Sequence, residues 1–151
     1  MGAEDARPIA VASDHGGFDL KSHVLAYLAD QGLEAADLGT RSRESVDYPF
    51  FAAQVARGVQ AGTYRLGILV CGTGLGMSMM ANRYRGVRAA VCSSAYTARM
   101  AREHNDANVL CLGGRVIGTG QAEDILRAFL DQPFAGGRHA RRIACLDEDL
   151  P

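Results

Sequence analysis

Apolar runs of strand length alternate along this chain with segments whose apolar residues recur at helical spacing. The five short runs are PIAVAS (8–13), LEAADL (33–38), RLGILVC (65–71), VRAAVC (87–92) and ANVLCL (107–112). A helical pattern follows each run, in 18–32, 50–62, 75–84, 95–105 and 121–131. Such alternation with short connections predicts a parallel sheet covered by helices on both faces. We therefore expect an α/β fold with five parallel strands.

The first helical segment shows this pattern in detail. FDLKSHVLAYL places one apolar stripe on Phe18, Val24, Leu25 and Leu28, and Gly32 follows as a C-terminal cap. The tail from Pro133 departs from the alternation and has room for a short helix or an arm.

Polar residues that directly follow strands are the candidate site, because ligands of parallel sheets bind beyond the carboxyl ends of the strands. Three such loops stand out: SDHGG (13–17), CGTG (71–74) and GGR (113–115). If the first and third strands are neighbours, the first two loops face each other. A carboxylate, an imidazole, a thiol and a hydroxyl would then share one site.

Composition and net charge limit the classes of binding partner that we expect for this protein. The 151 residues are 48% hydrophobic and predict a single domain over 1–151. Sixteen basic and seventeen acidic residues leave a net charge of -1, so we expect neither nucleic acid nor a membrane surface as a partner. No run is long enough for a membrane span and the N-terminus lacks a signal-peptide pattern, which predicts a cytoplasmic protein.

The glycine loop after the third apolar run fits an anion cradle at the start of a helix. Its GxGxG spacing is not the dinucleotide fingerprint, and no GxxxxGK[ST] sequence is present, so nicotinamide and an NTPase P-loop are disfavoured. A cysteine phosphatase would carry arginine where Met77 stands. From the loop alone, Cys71 is either a proton-transfer base at a helix N-terminus or a small residue that ends a buried strand.

The other polar groups have plain structural interpretations as well. Asp14 could be only a helix cap, and Thr73 likewise. His104, with Asn105 beside it, could have no role beyond complementing a helix dipole, which is the role that we expect for His23. The cysteines have no metal-ligand spacing, so we expect no metal, and Cys92 and Cys111 suit buried apolar positions. The basic residues Arg115, Arg138, Arg141 and Arg142 could be solvated surface or a phosphate anchor.

Several blocks together resemble one known family. The blocks are ASDHGGFDLK, VDYPFFA, GILVCGTGLGMSMMAN, GVRAAVCSSAYTARMAREHNDANVLCLGGRVIG and GGRHARR. In this order and spacing they resemble ribose-5-phosphate isomerase type B, whose relatives include galactose-6-phosphate and allose-6-phosphate isomerases. The resemblance runs from about Pro8 to Arg142. It implies a Rossmann-like three-layer α/β/α sandwich, a homodimer or dimer of dimers, and active sites shared between subunits, with 133–151 completing the site or the interface.

The resemblance also implies roles for individual residues in a cofactor-free aldose-ketose isomerisation. Cys71 would be the base that moves a proton between C1 and C2, assisted by Thr73. The loop glycines Gly72, Gly74 and Gly76 would form the oxyanion hole of a cis-enediolate.

The remaining roles concern the hydroxyl protons, ring opening and the phosphate. Asp14 would handle the protons at O1 and O2, and His104 with Asn105, reaching in from a second subunit, would open the furanose ring. Tyr48 would line the pocket. The phosphate group would be bound by His15, Arg115, Arg138 and Arg142.

One departure bears on mechanism. Some family members lack the cysteine and carry a glutamate base at the position of Met77, so only the thiolate version is available here. The leading hypothesis is interconversion of ribose 5-phosphate and ribulose 5-phosphate. The alternatives are isomerisation of a tetrose 4-phosphate, allose 6-phosphate or galactose 6-phosphate, and a noncatalytic phosphosugar- or nucleotide-binding module on the same fold.

Overall fold

A computed structural model describes residues 6–148 and contains the predicted five-stranded parallel sheet. The strands are β1 (Ile9–Ser13), β2 (Ala35–Asp37), β3 (Leu66–Cys71), β4 (Ala89–Val91) and β5 (Val109–Gly113). Their spatial order is β2-β1-β3-β5-β4, and every pairing is parallel. The five predicted runs are confirmed, and β5 extends one residue beyond its run. The adjacency of β1 and β3, on which the candidate site depended, is also confirmed.

Helices cover both faces of the sheet and complete the predicted α/β/α sandwich. They are α1 (Phe18–Asp30), α2 (Tyr48–Gln60), α3 (Leu75–Ala81), α4 (Ala95–Asn105), α5 (Thr119–Asp131) and α6 (Arg138–Ala144). One face packs against α1, α4 and α5 and the other against α2 and α3. The central strands β1, β3 and β5 are buried along their whole length, because helices shield them from both sides.

The buried stripe of α1 differs from the predicted one. Val24 and Leu28 are buried as expected, but Phe18 and Leu25 are only half-buried, and Leu20 and Tyr27 take their places in the core. The prediction erred because the apolar face of α1 is wide and its packing against β1 and α5 selects which part is covered.

Lys21, the only lysine of the chain, is buried in the same helix, with 1% of its surface exposed. Its ammonium donates to a carboxylate oxygen of Asp37 at 2.6 Å and to the carbonyl oxygen of Thr40 at 2.7 Å. A buried charge needs such partners. Lys21 therefore connects α1 to the end of β2 and to the segment that follows it, a contact that the sequence pattern did not indicate.

The tail forms α6 and a short 3-10 turn at Cys145–Asp147. The backbone amide of Ala135 donates to the carbonyl oxygen of Glu103 at 3.0 Å, which anchors the tail on α4. Among residues 6–148, no helix has both the length and the apolar character that crossing a membrane requires.

Candidate active site

The loop after β3 presents the Cys71 sulfur to a backbone amide. The Gly74 N–H donates to the Cys71 Sγ at 3.0 Å, and the Leu75 N–H donates to the Thr73 hydroxyl at 3.2 Å. Gly74 has φ +83°, a left-handed conformation that favours glycine, and this conformation turns the loop into α3. Only 5% of Cys71 is exposed. An N–H donor aimed at sulfur interacts more strongly with a thiolate than with a thiol.

The loop after β1 lies directly beside this cysteine loop. The Asp14 N–H donates to the carbonyl oxygen of Val70 at 3.2 Å, one residue before Cys71. The Asp14 carboxylate accepts from the Gly17 N–H at 3.1 Å and is 7% exposed. Asp14 is thus a helix cap, as its plain interpretation required, and it also lies next to the thiol loop.

His15 has its ring orientation fixed by the chain that follows β2. Its Nδ1 accepts a hydrogen bond from the Val46 N–H at 3.2 Å. In a neutral imidazole, an acceptor at Nδ1 places the proton on Nε2. His15 can therefore donate from Nε2 to an anion while its ring is neutral.

Tyr48 and Arg115 flank the same loop. A Cβ atom on Gly76 would lie 2.6 Å from the Cζ of Tyr48, so the close approach of the ring requires glycine there. The Arg115 N–H donates to the carbonyl oxygen of Gly72 at 3.0 Å, which places this arginine beside the glycine loop. The structure thus brings one group of predicted site residues together at the carboxyl edge of the sheet: Asp14, His15, Tyr48, Cys71, Gly72, Thr73, Gly74, Gly76 and Arg115.

A second group of predicted residues lies at the opposite edge of the sheet. His104 and Asn105 end α4, just before β5 begins at Val109. Val109 pairs with Gly67, whereas Cys71 pairs with Gly113 at the other end of the same strands. At about 3.3 Å per residue, four residues of strand separate the two groups by roughly 13 Å or more. Within one chain, His104 and Cys71 therefore lie at opposite ends of these strands.

The predicted tail arginines belong to this second group. Arg138 and Arg142 are four residues apart on α6, so they lie on the same face of the helix, whereas Arg141 is turned by about 100° from Arg142. All three are exposed.

Sequence reasoning missed His139, although it lies inside the quoted block GGRHARR. Its ring stacks on that of His104, with centroids 4.4 Å apart and planes inclined by 10°. Only 8% of His139 is exposed. The available signal was its position next to two predicted site arginines.

The other cysteines and His23 have structural surroundings. Cys92 and Cys111 are buried, as predicted. Burial raises the pKa of the Cys111 thiol, and the neighbouring Cys71 and Cys92 sulfurs raise that pKa further. The ring Nε2 of His23 is 2.8 Å from a carboxylate oxygen of Glu123 on α5, so a hydrogen bond between helices replaces the expected dipole contact. Across residues 6–148, no three His, Cys, Asp or Glu side chains are placed to hold a metal ion.

Comparison with known proteins agrees with this geometry. Residues 9–146 match the model of a family described as Ribose/Galactose Isomerase. The chain is 46% identical over 140 residues to ribose-5-phosphate isomerase B of Escherichia coli strain K12, a match that covers 93% of this chain and 94% of that protein.

Solved structures give the same result. A ribose 5-phosphate isomerase from Thermotoga maritima matches with a TM-score of 0.92 and 53% identity over 93% of this chain and 97% of that one. Ribose-5-phosphate isomerase B from Mycoplasma genitalium, solved with bound ribulose-5-phosphate, matches with a TM-score of 0.88 and 43% identity over 91% of both chains. Similarity to these isomerases, in sequence and in fold, therefore extends over nearly the whole length of this chain.

Proposed function

Because this chain belongs to the ribose/galactose isomerase family, we propose that it interconverts ribose 5-phosphate and ribulose 5-phosphate, with Cys71 as the base. The observation that carries the proposal is the Cys71 sulfur, which accepts the Gly74 amide at the head of a glycine loop and lies beside the Asp14 loop. Aldose-ketose isomerisation needs a base next to donors for a developing oxyanion. This loop supplies both kinds of group.

The reaction moves two protons. The Cys71 thiolate removes the proton from C2 of the open-chain aldose, which leaves a cis-enediolate, and the resulting thiol returns that proton to C1. The Asp14 carboxylate carries the hydroxyl proton from O2 to O1, while Thr73 assists Cys71. The Gly76 N–H in the first turn of α3 stabilises the enediolate oxygen, because it has no acceptor within the helix, whereas the Leu75 N–H already donates to Thr73.

The complete site requires two copies of the chain. His104 opens the furanose ring, with Asn105 beside it, and within one chain both lie at the opposite end of the strands from Cys71. A second copy supplies them, as it supplies Arg138 and Arg142. Large apolar side chains on α2 and α3 are exposed around the cysteine loop and would be covered in such a dimer: Tyr48, Phe50, Leu75 and Met79.

The phosphate group is held from both subunits. His15 and Arg115 approach it from the cysteine edge, whereas Arg138 and Arg142 come from the partner's tail. Binding energy from the nonreacting phosphate can be used to orient C1 and C2 at the base. This division of the site explains why the tail packs on α4 beside His104.

A coupled assay tests the proposal. The purified protein is offered ribose 5-phosphate, erythrose 4-phosphate, allose 6-phosphate and galactose 6-phosphate with EDTA present. We expect turnover of ribose 5-phosphate that is lost in Cys71→Ala and kept in Cys145→Ser, because Cys145 follows α6 and is not one of the proposed site residues. Turnover of another sugar alone would change the substrate and keep the mechanism. Full activity in Cys71→Ala would remove the base assignment, and no turnover of any of the four would favour a binding module.

A further inference from the structure

Four arginine side chains gather around a cavity at the amino-terminal edge of the sheet, away from Cys71. The cavity has a volume of about 340 Å³. Its lining consists of Arg7, Arg65, Leu66, Arg88, Arg102, Asp106 and Asn108. Arg7 donates to the carbonyl oxygen of Gly62 at 2.8 Å, and the other three guanidinium groups against one carboxylate leave a net charge of +2.

The one carboxylate in the cavity lining already accepts hydrogen bonds from two of the arginines. Asp106 accepts from Arg102 at 2.9 Å on one oxygen and from Arg88 at 3.2 Å on the other. Arg88 also donates from Nε to the carbonyl oxygens of Asn105 and Asp106, both at 3.0 Å, which closes the C-terminal end of α4. Asp106 is therefore committed to the helix end and does not neutralise the rest of the cluster.

Arg65 has no such partner. Arg65 is half-buried, and its guanidinium makes no hydrogen bond or ion pair with any side chain or carbonyl group among residues 6–148. Glu34 lies in an adjoining cavity with Arg65 but forms no ion pair with it. The Arg102 Nε is also buried with no acceptor in the described part of the chain. Half-buried positive charges that face each other raise the free energy of the fold unless an anion joins them.

We propose that this cavity binds a phosphate group, either free phosphate or a small phosphate ester, at a second site distinct from the catalytic one. Guanidinium groups match the oxygens of phosphate in pairs, and Arg65 and Arg102 retain donors for this purpose. The volume lies within the range of small-ligand pockets. Because Arg88 and Arg102 also hold the last turn of α4, the bound anion would contact the same network that supports His104 and Asn105.

The test is calorimetric titration with inorganic phosphate at low ionic strength, where charge contacts are least screened. The proteins compared are the wild type, Arg65→Gln, Arg142→Ala and, as a matched control, Arg127→Gln on an exposed part of α5. We expect Arg65→Gln to weaken one binding event at least tenfold, and Arg127→Gln to change nothing. Arg142→Ala should keep the event that Arg65→Gln weakens.

Two results would overturn the proposal. One is a titration of Arg65→Gln identical to that of the wild type, and the other is the loss of all phosphate binding in Arg142→Ala. A charge reversal, Arg65→Glu, provides a second check and should abolish the same event, with circular dichroism confirming that the variant is folded. None of these measurements depends on turnover, so they stand apart from the test of the catalytic proposal.

Discussion

The imidazole of His139 lies flat against that of His104, with ring centroids 4.4 Å apart. Burial lowers the pKa of His139, and the positive charges of Arg138, His104 and Arg142 lower that pKa further, while Glu103 opposes them. His139 therefore favours its neutral form in the folded protein. A neutral His139 places no positive charge on the ring that stacks against the proposed ring-opening histidine.

The stacked pair predicts how stability depends on pH. Because the unfolded His139 has a pKa of about 6.5 and the folded one a lower value, the unfolded chain binds more protons below about pH 6.5. The stability that this residue contributes is present above that pH and is lost as the pH falls below it. Between about pH 7.5 and 5.5, thermal melts should show a smaller drop in melting temperature for His139→Phe than for the wild type, because phenylalanine stacks without titrating. Equal losses in both proteins would contradict the assignment.

Substitution of Gly74 should affect both stability and catalysis. Gly74→Ala places a Cβ atom on a left-handed residue, 3.2 Å from the backbone of Leu112. We expect a cost of about 1–2 kcal/mol in the free energy of unfolding. We also expect kcat to fall by roughly 10- to 100-fold, because the amide that faces Cys71 is displaced.

Gly120→Ala provides the matched control for this loop. Gly120 lies in the first turn of α5 and has no positive φ, and a methyl group added there would meet no heavy atom within 4 Å among the described residues apart from its chain neighbours and the backbone of its own helix. Its replacement should leave kcat unchanged and keep or slightly raise stability. Chemical denaturation and steady-state kinetics measure both quantities. A Gly74→Ala enzyme that behaves like Gly120→Ala would show that the amide contact is dispensable.

Removing the ammonium of Lys21 should destabilise the fold. Burial pushes the pKa of Asp37 upward, but the Lys21 hydrogen bond and charge and the Gly39 amide outweigh it, so that pKa is lowered overall. Lys21→Met leaves this carboxylate without its main partner, at a cost of about 2–3 kcal/mol, moderated because the Asp37 side chain is 32% exposed. Urea denaturation should show this loss, against less than about 0.5 kcal/mol for Asp19→Asn in the exposed pair with Arg43.

Shared sites predict that two inactive variants complement each other. Cys71→Ala and His104→Ala damage opposite edges of the sheet. In a mixed dimer one site carries both substitutions and the other carries neither. Random mixing of equal amounts after reversible dissociation should restore about a quarter of the wild-type activity. Activity that stays at the level of the separate variants would place both residues in a site within one chain.

The two tail arginines on one side of α6 should control substrate affinity. Arg142→Ala removes a predicted phosphate contact, so KM should rise about tenfold or more with little change in the melting temperature, because the side chain is exposed. Arg141→Ala, one residue away on a different side of the helix, is the control and should leave KM near the wild-type value. Equal effects from the two variants would point to net charge rather than to a specific contact.

The sequence alone was enough to locate the strands and the loops that matter. Apolar runs and the glycines after them depend on local chemistry, and strands β1 and β3 end where the sequence pattern ends. The resemblance to the type B isomerases is confirmed by the family match over residues 9–146. The catalytic roles given to Cys71, Asp14 and His104 stay predictions that the assays above test.

Only the tertiary structure decided how distant segments meet. It placed β5 between β3 and β4, buried Lys21 against Asp37, stacked His139 on His104 and separated His104 from Cys71 along the strands. The physical reason is that the burial of a side chain and its contacts depend on residues far away in the chain. The spacing of apolar residues, in contrast, depends only on nearby positions in the sequence. Lys21 shows this directly, since its charge is tolerated only because Asp37 and the Thr40 carbonyl arrive from another part of the chain.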